Sequence, residues 1–385
     1  MFSDRTKWNL AENRLSESLA RVRASRRPLL DLTASNPTEC AFKYDGATIL
    51  KAFINPAALK YHPDPRGLLS ARHAVCEYYA ARGEHVAAED LLLTTSTSEA
   101  YSFAFRLLCN PGDEFLVPTP SYPLFDFLAD IQDVTLVRYP LFYDHGWHID
   151  FHALERAITS RTRGVIVVHP NNPTGHFVKP GELEKLNVIC SARDLAIVAD
   201  EVFLDFGLAD GKVAGFAANQ ESLTLTMSGL SKIAGLPQMK LAWLAVSGPD
   251  LKKREALARL EVIADTYLSM NTPVQLAAPA LLAQRHGFQQ ELMARVKKNL
   301  AELDSQLGKQ QHCSRLEMEG GWYAVVRVPA TRPDEDLAIE LLEKYGVFVH
   351  PGHFYDFSGE GHMVVSLITP EQDFAEGMKR LLGAI

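Results

Sequence analysis

The sequence predicts an α/β protein: a large domain with a mostly parallel sheet between helices, and a smaller α+β domain. Three observations predict it. Short continuous apolar runs alternate with helix-like stretches through the middle of the chain, and strands apolar on both faces belong to sheets covered on both sides. The tail loses that alternation and mixes long helices with short strands. Each buried strand of the middle region is followed at once by polar residues, and open α/β sheets hold ligands at the carboxyl ends of their strands.

The elements follow in order. Glu114–Val117 reads as a strand, Tyr122–Ile131 as a helix after the turn Pro118-Thr119-Pro120, and Val134–Val137 as a strand. Gly164–Val168 is a buried strand rich in β-branched residues, Pro180–Arg193 a helix, and Leu195–Ala199, Leu223–Met227 and Lys240–Val246 are further strands. In the tail, Phe288–Leu307, Asp334–Lys344 and Glu371–Leu382 read as helices; Trp322–Val328, Val347–Val349 and Met363–Leu367 read as strands. The expected division is residues 46–285 for the large domain, with 1–45 and 286–385 forming the small one.

Composition narrows the function. The chain has 385 residues, 47% hydrophobic and 22% charged, ample for a packed core. Lys plus Arg total 39 against 47 Asp plus Glu, a formal charge of −8. A mildly acidic chain without a basic block is not expected to bind nucleic acid or anionic membranes. Cys40, Cys76, Cys109, Cys190 and Cys313 lie far apart, with no C-x-x-C spacing, against a disulfide framework or zinc knuckle. The first residues lack an apolar core, so no secretory signal is expected, and no apolar run is long enough to span a bilayer. The expectation is a soluble, cytoplasmic protein.

The polar residues after the buried strands are His169 to Gly175, then Asp200-Glu201, then Ser228 to Lys232. Taken singly, each has an ordinary reading. Asn-Pro-Thr-Gly is a common turn, a strand-ending Asp is often a helix cap, and Ser-Lys is usually solvated surface. Thr95-Ser96-Thr97-Ser98-Glu99-Ala100 follows the apolar run Leu91-Leu92-Leu93 and opens a helix-like stretch. Such a helix start is either a plain cap or an anion site built from free N–H groups and hydroxyls. His145, His148 and His152 mimic metal spacing but lie around a polar turn, and no metal site is expected.

Together these stretches resemble the fold-type I pyridoxal-phosphate enzymes of the aminotransferase class I/II family. Gly229-Leu230-Ser231-Lys232-Ile233-Ala234-Gly235-Leu236-Pro237-Gln238-Met239-Lys240-Leu241-Ala242 follows the family's lysine signature, and Asn171–Gly175 and Asp200–Phe203 match its other two anchors in order and spacing. Tyr61–Gly67, Pro120–Pro123, Gly320-Gly321 and Val349–Gly352 also fit, so the resemblance covers essentially the whole chain. It implies a seven-stranded type of large sheet and pyridoxal 5'-phosphate as cofactor. It implies that Lys232 holds the cofactor aldehyde as a Schiff base and later moves the proton, and that Asp200 faces the pyridine nitrogen and keeps it protonated. Asn172 donates to the phenolic oxygen, and Tyr122 stacks on the ring. Thr97, Ser98, Ser228 and Lys240 form the phosphate cradle. Tyr61 reaches the phosphate across a dimer interface, so the resemblance implies a homodimer with shared sites. Asn36 and His353 are the further substrate-binding candidates, with Tyr355 beside His353 at the entrance.

Three positions depart from the family pattern. Lys240 stands where arginine is usual, keeping the charge but losing the bidentate fork. Phe203 stands where a tyrosine often bonds the phenolic oxygen, which predicts an imine that stays protonated to higher pH. Val364 stands where the family's arginine grips the substrate carboxylate; Arg66, beside the Tyr61 motif, is the expected substitute. The leading reading is transamination between an amino acid or amine and a keto acid. The same cofactor would also serve a lyase, decarboxylase or oxidase, a reading to which Val364 adds weight. A third reading is a non-catalytic sensor. The motifs begin by about residue 35, which is not expected to leave room for a preceding DNA-binding domain, and the retained Lys232 and Asp200 argue for catalysis.

Overall fold

The computed structural model describes residues 1–268 and 270–385. Its strands, in chain order, are β1 (Leu30–Asp31), β2 (Leu91–Thr94), β3 (Glu114–Thr119), β4 (Thr135–Tyr143), β5 (Trp147–Ile149), β6 (Thr162–Val168), β7 (Ala196–Asp200), β8 (Thr224–Gly229), β9 (Ala242–Ser247), β10 (Ser314–Arg315), β11 (Tyr323–Arg327), β12 (Val347–Phe348), β13 (His350–Pro351) and β14 (His362–Ser366).

Eight of these form one sheet in the order β2-β9-β8-β7-β6-β3-β4-β5. The pairs β4–β3, β3–β6, β6–β7 and β7–β8 are parallel, while β9 runs antiparallel to both its neighbours. The sheet has one strand more than the seven-stranded expectation because the short β5 folds back antiparallel on the end of β4. Strands β6 to β9 are buried at nearly every position. In β6, β7 and β9 that follows from sequence, since runs of Val, Ile, Leu and Ala cannot present a wet face; in β8 the alternating Thr224 and Thr226 are buried as well, so helices cover both sides. Val165, Val167 and Ile197 pack into one core cluster while Ile166, Val168 and Val198 pack into another, as period-two alternation through a covered sheet requires.

The tail builds a four-stranded antiparallel sheet, β10-β11-β14-β13. The helices Arg285–Leu307, Asp334–Tyr345 and Glu371–Gly383 lie within a few residues of their predicted bounds. The amino-terminal stretch pairs with the tail in parallel, Leu30 opposite Val347 and Asp31 opposite Phe348. The predicted helix from Tyr122 is shorter than expected, Phe125–Asp130. The residues before it are held elsewhere: Ser121 N donates to the Tyr355 carbonyl at 2.9 Å and Thr119 Oγ1 to the Asp356 carbonyl at 2.7 Å. Among the described residues, no helix is long and apolar enough to cross a membrane.

Candidate active site

The carboxyl ends of β2, β6, β7 and β8 deliver their following residues to one cavity of about 180 Å³. Asp200 ends β7, and Lys232 sits on the single helical turn Leu230–Ile233 that follows β8 directly. Asn172 comes from the turn after β6, and Thr97 and Ser98 open the helix Thr97–Leu108 after β2. Tyr122, from the loop after β3, completes the wall.

Asp200 is buried, and burial pushes its carboxyl up to about 6. Two donors work against that rise. Val202 N donates to Oδ1 at 3.1 Å, and Tyr101 OH donates to Oδ2 at 3.1 Å. Burial brings the Lys232 ammonium down to about 8, with the nearby Asp200 charge pulling the other way. The Lys232 Nζ lies 5.0 Å from the Trp322 ring centroid and 5.7 Å from that of Phe203. An amine near neutral pH beside a carboxylate that stays mostly charged is suited to carbonyl addition and proton movement.

The helix start resolves the ambiguity left by its Ser/Thr run. Ser96 is the cap: its Oγ accepts from Glu99 N at 3.1 Å, and the Glu99 carboxylate returns a bond to Thr95 N at 2.7 Å. Thr97 and Ser98 are not consumed by capping, and both line the cavity at the positive end of a 12-residue helix. The paired asparagines divide their work. Asn171 is a staple, donating to the Pro120 carbonyl at 3.0 Å and accepting from Ser121 Oγ at 3.1 Å, which fixes the loop that carries Tyr122. Asn172 lines the cavity, and its buried Oδ1 has no partner among the described residues.

The other expected residues are not among those that line the cavity. Ser228 turns its hydroxyl to the Glu201 carbonyl at 3.3 Å, and Lys240 is exposed, in the left-handed region at φ 52°. Tyr61 is 74% exposed, far more open than a residue serving its own chain's cavity. Asn36 spends Oδ1 on Thr38, at 3.1 Å to N and 2.7 Å to Oγ1, while its neighbour Ser35 reaches the cavity. His353 is exposed and packs edge-on against Phe354; the adjacent Tyr355 is buried with its hydroxyl 3.2 Å from His350 Nδ1.

Arg66 requires a correction. It does not reach the cavity. Its guanidinium pairs with Glu261 at 2.7 Å and donates to the Glu89 carbonyl at 2.8 Å, in a separate cleft. A cation already matched to a carboxylate is not available for a substrate's. Val364 is buried in β14 between Val325 and His350.

The sequence reading missed Tyr101 and Tyr323, which also line the cavity, and Trp322 behind Lys232. Tyr101 carried a signal: it lies four residues after Thr97, on the same helix face. Trp322 and Tyr323 follow Gly320-Gly321, and their approach depends on Gly175, whose carbonyl accepts from both Glu319 N and Gly320 N at 3.1 Å.

A half-buried lysine, a buried aspartate, an asparagine and a helix start meet at the carboxyl ends of one doubly covered sheet, the architecture of the fold-type I aminotransferases. Residues 33–381 match the family model "Aminotransferase class I and II", and the chain belongs to that family. It is 30% identical over 264 residues to "Glutamate-pyruvate aminotransferase AlaA" of Escherichia coli (strain K12), covering 68% of this chain and 65% of that protein, so the match spans just under two thirds of that relative's length. It is 28% identical over 375 residues to "Alanine aminotransferase" of Mycobacterium tuberculosis (strain H37Rv), covering 94% of this chain and 86% of that one. A solved alanine aminotransferase from Pyrococcus furiosus superposes with a TM-score of 0.89 at 24% identity, covering 99% of this chain and 98% of that one, a likeness of fold. A solved Escherichia coli aminotransferase gives a TM-score of 0.87 at 25% identity, with 100% and 98% covered.

Proposed function

We propose that this chain is a pyridoxal-phosphate-dependent aminotransferase that moves an amino group between an amino acid and a keto acid through Lys232. One observation carries the reading: Lys232 and Asp200 line one cavity with Asn172, Tyr122 and the helix start Thr97-Ser98.

The residues present fit the cofactor. In this reading Asp200 would present its carboxylate to the pyridine nitrogen, Asn172 would donate from Nδ2 to the phenolic oxygen, and Tyr122 would pack on the ring face. Thr97 and Ser98 hold the phosphate at the helix start, with Ser228 and Lys240 completing the cradle. The cofactor, when bound, supplies the electron sink that stabilises a substrate carbanion. Lys232 would hold the cofactor's aldehyde through Nζ, which burial brings to about 8 so that the neutral amine is populated near neutral pH, and the freed amine would serve as the proton carrier. Trp322 and Phe203 form an aromatic wall on one side of Nζ.

The exposed Tyr61 supports a homodimer, since its hydroxyl serves a phosphate only from a second copy. All five cysteines are free thiols, which suits the reducing cytoplasm. Asn36 and His353, which do not line the cavity, are kept as substrate contacts only on the family resemblance.

The test is to incubate the purified chain with pyridoxal phosphate, reduce with borohydride, and map the modified peptide. A stoichiometric label on Lys232, absent in Lys232→Ala, supports the reading; a label elsewhere or none overturns it. Glutamate with pyruvate is the first substrate pair to assay, because the relatives' names specify it. Conversion to alanine would make the reaction a transamination, and ammonia release without alanine would make it a lyase.

A further inference from the structure

One helix serves both ends of the cavity. Thr97 and Ser98 stand at its first turn, and Tyr101 stands one turn on, facing the same space. The Tyr101 hydroxyl donates to Asp200 Oδ2 at 3.1 Å inside the core, while Val202 N takes the other oxygen. We propose that Tyr101 is a positioning residue that keeps the Asp200 carboxylate ionised and aimed at a protonated ring nitrogen in the cavity. The proposal rests on the cofactor reading given above.

The geometry gives Tyr101 little freedom. Its ring is 2% exposed and packs edge-on to Phe125 at 5.3 Å and tilted against Phe105 at 6.2 Å. Phe125 in turn meets Tyr122 edge-on at 5.6 Å. A shift of Tyr101 would therefore disturb the carboxylate and the stacking residue together. Burial and the facing carboxylate hold the phenol well above its ordinary range, so it remains a donor at any working pH. A permanent donor to a buried carboxylate favours the charged form. Asp200 needs that help, because burial alone drives it towards neutrality, and a neutral carboxyl cannot hold a ring nitrogen protonated.

A buried tyrosine also needs some acceptor merely to fold, and the experiment separates the two roles. Tyr101→Phe keeps the ring and its packing. In the cofactor-free protein, the protonation of Asp200 is followed by its infrared carboxyl band, assigned by difference from Asp200→Asn. The midpoint in Tyr101→Phe is expected about one unit or more above wild type. Fluorotyrosine at position 101, a stronger donor of nearly the same shape, is expected to move it down. Equal midpoints in all three proteins overturn the proposal. Binding of pyridoxal phosphate, followed by tryptophan fluorescence, is expected to weaken about tenfold in Tyr101→Phe. Weaker binding in Asp200→Asn but not in Tyr101→Phe would sink the role of Tyr101 alone. Unchanged binding in both variants would sink the cofactor reading, and with it the role of Tyr101.

Discussion

Arg138 in β4 donates to Asp356 at 3.1 Å and, with the same nitrogen, to Asp126 at 2.7 Å. Asp126 belongs to the short helix that follows Tyr122, and Asp356 to the tail loop whose carbonyl already holds Thr119. One guanidinium therefore ties the segment after Tyr122 to the tail. All three side chains are more than a third exposed, so the pair energies are small, about 1 kcal/mol or less. Arg138→Gln is expected to leave the denaturation midpoint nearly unchanged yet speed amide hydrogen exchange in residues 121–130 and 352–357. Unchanged exchange would show that the backbone bonds alone hold the two loops.

The lowered Lys232 predicts a pH profile. Its reaction with an aldehyde needs the neutral amine, so the rate should rise with pH and level off above about 8. A lysine at its ordinary value would keep gaining until about 10.5. Stopped-flow absorbance with pyridoxal phosphate measures this directly.

Glu201, next to Asp200, faces a buried cluster of Glu84, Arg82 and Asp205, and burial raises its carboxyl from 4.5 to about 8. A carboxyl raised in the folded state contributes stability that is complete below about 4.5 and lost as pH climbs to about 8. Its Oε2 has no partner. Glu201→Gln keeps the acceptor for Phe216 N and offers Glu84 a donor. The variant should exceed wild type by about 2 kcal/mol above pH 8, with the gap closing towards acid. Thermal denaturation across pH checks it; a constant gap would refute the assignment.

Arg66 is spent on Glu261 and Glu89. Arg66→Ala should cost about 1 kcal/mol or less in stability and leave the KM for amino acid and keto acid unchanged. A raised KM confined to carboxylate substrates would return Arg66 to the site.

Gly175 holds φ at +71°, and a Cβ there would stand 2.6 Å from the Gly320 carbonyl oxygen and 2.8 Å from Met318 Cβ. Gly175→Ala should therefore lower stability by about 2 kcal/mol or more. It should also weaken cofactor binding, because the same contact positions Trp322 and Tyr323. A titration of the variant with pyridoxal phosphate tests the second effect.

By itself the sequence determined the sheet and the identity of the central side chains. The apolar runs of β6, β7 and β9 admit only covered strands, and the polar residues that follow the sheet's strands mark their carboxyl ends. Lys232, Asp200, Asn172, Thr97, Ser98 and Tyr122 were legible because each sits within a residue or a short turn of such an end, where local pattern and position coincide. The tertiary structure decided what depends on partners distant in the chain. Arg66 looked free until Glu261, 195 positions on, took its charge. Tyr101 drew no reading from the sequence, because its partner Asp200 lies 99 positions away and only folding brings it to the hydroxyl. The edge strand β5 and the pairing of Leu30 with Val347 were illegible for the same reason: strand pairing is chosen by the neighbour, and the neighbour is not written beside the residue.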